Sequence, residues 1–91
     1  MNVSSRRDAN EPEIVNALRA VGCTVVRVES RLAGLPDLYV GFRGAWYAME
    51  VKGEKGVLSE AQRVWHKQAA APVIVVRTPE EALAALGAWR D

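Results

Sequence analysis

The sequence predicts an α/β domain in which a mixed β-sheet is flanked by helices. Three observations lead to that class. Two helix-start signatures, Ser59-Glu60-Ala61-Gln62 and Thr78-Pro79-Glu80-Glu81, bracket a short aliphatic run over 73–77. Two β-rich runs meet at Arg43-Gly44, a connection short enough for an antiparallel hairpin. An apolar stripe at helical spacing precedes them, so the elements fall in the order αβββαβα.

Residues 1–9 are polar and are read as flexible. Asn10-Glu11-Pro12 opens the first helix, with Asn10 or Glu11 as cap and proline in the first turn. Ile14, Val15, Leu18 and Val21 recur on one face and Gly22 is a natural stop, so the spacing predicts a helix over 11–21. Residues 23–29 are β-branched and read as a strand. A loop with Gly34 and Pro36 covers 30–36, strands follow over 37–42 and 46–52, and a charged, glycine-punctuated loop covers 53–58. Ser59 and Gln62 form a capping box for a helix running to about Ala70, and Pro72 ends it. The continuous apolar run 73–77 predicts a strand buried on both faces. Ala82, Leu83, Leu86 and Trp89 form the apolar stripe of a last helix. No repeat or low-complexity tract interrupts the chain, so one domain is expected over 1–91.

With 49% hydrophobic and 25% charged residues the composition is that of an ordinary globular domain. A chain of 91 residues buries a modest fraction of its surface, and a homodimer is one way to add core. A net charge of +1 gives no cationic excess, so any nucleic-acid surface is a local patch, or two patches added across a dimer. The single cysteine, Cys23, excludes an internal disulfide, fits a reducing compartment and reads as a small buried hydrophobe. With one histidine, His66, zinc sites built from several Cys and His ligands are excluded, which leaves oxygen-bound ions held by carboxylates. No apolar run is long enough to span a membrane, and the first residues lack the apolar core of a secretory signal, so a cytoplasmic location is expected.

Asp37, Glu50 and Lys52 carry the chemistry. Along 46–52 the side chains alternate, so Trp46, Ala48, Glu50 and Lys52 share one face while Tyr47, Met49 and Val51 share the other. Glu50 and Lys52 are then about 7 Å apart at the backbone and can reach one phosphate or metal. A two-residue or four-residue loop at Arg43-Gly44 places Asp37 opposite Glu50. A three-residue loop without a bulge places it opposite Val51, on the wrong face. Leu38, Val40 and Phe42 agree with the first register, since they then share the face of Tyr47, Met49 and Val51. Glu11 heads the stripe that its helix buries, so it must meet a partner or be costly, and a cation at Asp37 and Glu50 would be a suitable one. Two carboxylates suit Mg²⁺ or Mn²⁺, which polarises a phosphoryl oxygen and acidifies a bound water. Lys52 can orient the attacking water and offset charge growing on the phosphate. Glu11 would bind the same ion, hold its water or help to recruit a second ion.

These residues resemble the PD-(D/E)XK nuclease signature, with Pro36-Asp37 followed by Glu50-Val51-Lys52. The wider pattern resembles the VRR-NUC branch: Gly34-Leu35-Pro36-Asp37, then Glu50-Val51-Lys52, then Leu58-Ser59-Glu60-Ala61-Gln62. The first helix, with Glu11, Ile14-Val15, Leu18-Arg19 and Gly22, is similar to that of archaeal Holliday junction resolvases. The similarity covers roughly 8–86. The resemblance implies a restriction-endonuclease-like αβββαβ core plus a C-terminal helix. It implies Mg²⁺- or Mn²⁺-dependent DNA cleavage at Asp37, Glu50 and Lys52, with Glu11 and Gln62 supporting and the Val51 carbonyl as a further metal ligand. It also implies a homodimer acting on branched DNA such as four-way junctions, in a bacterial or phage-infected cell. A nicking or flap nuclease within a replication or repair assembly, and a non-catalytic DNA-binding dimer, are the alternatives.

Each residue has a plainer reading. Asp37 after Pro36 suits a turn, Glu50 a solvated edge, and Lys52 an exposed strand end. Glu11 and Glu13 suit the helix dipole, and Gln62 completes a cap. His66 reads as a helix-surface residue, Trp46 and Trp65 as core or dimer interface. Arg6, Arg7, Arg31, Lys55, Arg63 and Lys67 read as surface residues that include candidate phosphate contacts.

Overall fold

The computed structural model describes residues 9–29 and 32–87; Arg6, Arg7, Arg31 and Trp89 lie outside the described residues. Helix α1 spans Glu11–Ala20, strands β1, β2 and β3 span Thr24–Arg27, Leu38–Phe42 and Ala45–Val51, helix α2 spans Glu60–Gln68, strand β4 spans Val73–Val76 and helix α3 spans Pro79–Ala85. The order is the expected αβββαβα, in a mixed sheet ordered β1-β2-β3-β4. β1, β2 and β3 pair antiparallel and β4 joins β3 in parallel.

The first helix ends one residue earlier than the spacing suggests, and Gly22 takes the left-handed conformation that stops it. Asn10 occupies the N-cap position, but its side chain caps nothing in the helix. The β2–β3 connection is the two-residue loop Arg43-Gly44, both residues having positive φ (51° and 84°). That is the mirror-image turn whose twist matches paired strands. The Arg43 guanidinium lies 4.9 Å from the centroid of the Phe42 ring. Phe42 pairs with Ala45 and Leu38 with Met49, so the ladder runs in the register that sets Asp37 across from Glu50.

One face of the sheet makes the core. Leu38, Val40, Met49, Val51 and Val76 pack with Ile14, Val15 and Leu18 of α1 and with Ala82 and Leu86 of α3. Each Val, Leu, Ile or Met side chain so buried stabilises the fold by about 1.5–3 kcal/mol. Cys23 joins this core as expected, and burial raises its thiol pKa. The strand β4 is a correction to the sequence reading: it is an edge strand, and of its four residues only Val76 is fully buried.

The opposite face carries Trp46, Ala48 and Glu50. Helix α2 meets it without burying any residue fully. Its approach is set by Gly34, at φ +92°: a Cβ there would stand 2.5 Å from the Ala61 carbonyl oxygen and 3.3 Å from the Trp65 Cβ. Trp46 is 64% exposed, so it is not core; its ring covers Gly41 across the hairpin. Among the described residues no helix is long and apolar enough to cross a membrane.

Candidate active site

The site forms where β2 and β3 stop sharing backbone hydrogen bonds. β2 begins at Leu38, and just before it the Asp37 Oδ2 accepts the Val51 N–H at 2.8 Å. The Asp37 carboxylate thus continues the ladder and is held beside the Glu50-Val51 backbone. Glu50 is buried at 1% exposure, and its Oε2 accepts a 2.7 Å hydrogen bond from Gln62 Nε2. Lys52 follows two residues on, half-buried, with its backbone N–H donating to the Val76 carbonyl at 3.1 Å.

Gln62 makes the cap expected of it and also meets Glu50. Its Oε1 accepts from the Ser59 N–H at 2.8 Å and its own N–H donates to Ser59 Oγ at 3.1 Å, which completes the capping box. Its remaining amide group reaches Glu50. One side chain therefore starts α2 and ties it to the site.

Glu11 is buried at 1% exposure, as its place on the apolar stripe requires, and Arg27 Nε donates to its Oε2 at 3.0 Å. The guanidinium of β1 is a cation that the sequence reading did not consider. Among the described residues no group of three Asp, Glu, His or Cys side chains is arranged to hold a metal ion. The structure thus brings Asp37 beside the Glu50 strand and Gln62 onto Glu50, and gives Glu11 a separate ion pair. Glu13 is exposed, as expected.

His66 departs from the surface position expected of it. It is half-buried, and its Nε2 has no hydrogen-bond partner among the described residues. Burial, and then the positive charge of Lys52, lower its pKa from the ordinary 6.5. The signal in the sequence is its spacing: His66 lies one helical turn after Gln62, on the side of α2 that meets Glu50. Arg63 and Lys67 are exposed, and Arg63 pairs with Glu60 and with the Leu58 carbonyl.

Sequence reasoning also missed Asn10 and Arg77. Asn10 Nδ2 donates to the carbonyls of Lys52 (3.0 Å) and Arg77 (2.7 Å). Arg77 Nη1 donates to the carbonyls of Gly53 (2.5 Å) and Gly56 (2.8 Å). Asn10, Gly53 and Arg77 line an open cavity of about 660 Å³ with Glu54, Thr78 and Glu81.

No model of a known family and no curated protein sequence matches the chain. A solved structure described as a VRR_NUC domain superposes on 91% of it and on 100% of its own length, at a TM-score of 0.65 and 20% sequence identity. With the αβββαβ order, the mixed sheet and the Asp37–Glu50 register on the same frame, the chain has the fold of a VRR_NUC domain.

Proposed function

We propose that this protein is a divalent-metal-dependent endonuclease that hydrolyses DNA phosphodiester bonds. The observation that carries the reading is the convergence at the end of β3: Asp37 bound to the Val51 amide, Glu50 bound to Gln62, and Lys52 two residues on from Glu50, its charge acting on His66 of the same helix as Gln62. Asp37, Glu50 and the Val51 carbonyl are hard oxygen donors, a set that fits Mg²⁺ or Mn²⁺. The ion, when bound, supplies Lewis-acid polarisation of the phosphate and a more acidic water. Gln62 orients the Glu50 carboxylate. Lys52 places its ammonium beside the scissile phosphate and offsets developing negative charge. Glu11, paired with Arg27, acts as an outer carboxylate that holds water rather than as a third direct ligand.

The preferred substrate in this reading is branched DNA of the four-way type, cut by a homodimer with one site per strand. The exposed apolar side chains Val26 and Trp46 support a paired arrangement. A cleavage panel tests both parts, with four-way, flap and linear DNAs in Mg²⁺, Mn²⁺ or chelator. Wild type should cut with either metal. Glu50→Gln, which keeps shape and the Gln62 bond while removing charge, should cut at least about a hundredfold more slowly. Equal, negligible cleavage by both proteins on every DNA sinks the nuclease reading. Preference for flap over four-way DNA replaces the substrate assignment and leaves the chemistry.

A further inference from the structure

The β3–β4 ladder runs out at Val51 and Val76, where the register pairs them in parallel. The Lys52 N–H still reaches the Val76 carbonyl, but the next two carbonyls, of Lys52 and Arg77, point away from any further strand partner and meet the same side chain. Asn10 Nδ2 donates one hydrogen to each, at 3.0 and 2.7 Å. A primary amide has two such hydrogens, and the pair of acceptors also fixes which end of the side chain faces them. Asn10 is the residue before Glu11 and the N-cap of α1. Its side chain nonetheless makes no cap, although asparagine is among the best capping residues. Its two amide hydrogens go instead to a junction 42 and 67 residues away, and its Oδ1 is buried without a hydrogen-bond partner among the described residues.

The same junction is gripped from the other side. Arg77 Nη1 holds the Gly53 and Gly56 carbonyls, the Gly56 N–H returns to the Gly53 carbonyl, and Glu81 Oε1 accepts the Arg77 N–H at 2.8 Å. Lys52 is therefore pinned at its N–H by β4, at its carbonyl by Asn10, and just beyond by the loop that Arg77 closes. Both backbone polar groups of Lys52 are thus hydrogen-bonded to residues far from it in sequence. Where an ammonium must meet a phosphate, displacement of its anchor by about 1 Å is enough to cost a hundredfold in rate.

We propose that Asn10 is a positioning residue of the nuclease site, holding the Lys52 carbonyl so that the ammonium stands beside the phosphate attacked next to Asp37 and Glu50. The role rests on the nuclease reading above. Arg77 acts with it by closing the 53–56 loop.

Capping and bridging make opposite demands, which gives the test. Asn10→Ser and Asn10→Asp both leave a residue type that favours the N-cap at the start of α1, where the native side chain makes no cap. Neither can bridge: serine is too short, and a carboxylate turns lone pairs towards two carbonyls. Each variant should lower kcat on DNA by about tenfold to a hundredfold. KM and DNA affinity in Ca²⁺ should stay within about threefold. Amide exchange at Lys52 and Gly56 should quicken by about tenfold or more, while that of the α1 amides stays unchanged. Should either variant fold poorly, Arg77→Gln supplies the same readouts from the other side of the junction. An active wild type with Asn10→Ser cutting at the same kcat overturns this role alone. Loss of kcat matched by equal loss of folded protein also overturns it. A wild type inert on every DNA overturns the nuclease reading and this role with it, and the exchange rates then tell whether the bridge itself holds.

Discussion

Gln62 joins two duties that are separable by one atom. Its Oε1 completes the capping box and its Nε2 holds Glu50. Gln62→Glu keeps the oxygen that Ser59 needs and puts a second carboxylate oxygen against Glu50. Helix capping should survive while stability at neutral pH falls by about 1–3 kcal/mol, read from urea unfolding. An unchanged midpoint would mean that this amide does not fasten α2 to the site. At this scale much was legible in the chain. Strand alternation alone puts Glu50 and Lys52 on one face, and Ser59 with Gln62 announces the cap. The Glu11–Arg27 pair and the Asn10 bridge were not legible. Each depends on where a helix end lands against a strand far away in sequence, and no local pattern encodes that.

Among the elements, the hairpin and α2 differ in how firmly the sequence specifies them. The hairpin is set locally: two positive-φ residues, Arg43 and Gly44, close it in one register, and parity then carries Asp37 to its place across from Glu50. Helix α2 begins from a local signal but docks through tertiary contacts, above all the absence of a side chain at Gly34. Gly34→Ala meets the Ala61 carbonyl and strains a left-handed backbone, so it should destabilise by about 2–3 kcal/mol. It should also loosen α2 before the rest, seen as selective amide exchange in 60–68. Uniform exchange with an unchanged melting temperature would contradict that account. The β4 reading failed for a related reason. An unbroken apolar run is the same in a central strand and in an edge strand, and only the order of the sheet decides which it is.

Over the whole molecule, the two faces of the sheet are unequally covered. α1 and α3 close one face, while α2 touches the other at the site and leaves Val26 and Trp46 at 46% and 64% exposure. In the proposed homodimer this bare apolar strip is the contact between copies. Val26→Lys then introduces a charge that a lone chain tolerates on its edge strand and a dimer does not. Sedimentation should change from dimer to monomer with little change in the far-ultraviolet spectrum. A wild type that sediments at 10.0 kDa at every concentration removes the dimer.

The Asn10 bridge has a consequence for the order in which the molecule becomes whole. Asp37 meets the Val51 amide across 14 residues and Gln62 meets Glu50 across 12, so the acidic half of the site closes from one contiguous stretch of chain. Asn10 meets Lys52 across 42 residues and the Arg77 carbonyl across 67. Closing loops of that length is slower and entropically dearer. A chain emerging from the ribosome can therefore assemble its carboxylates while the support of its lysine waits for Arg77 to be made. Cutting competence, in the proposed mechanism, arrives with Arg77 rather than with the residues that hold the metal.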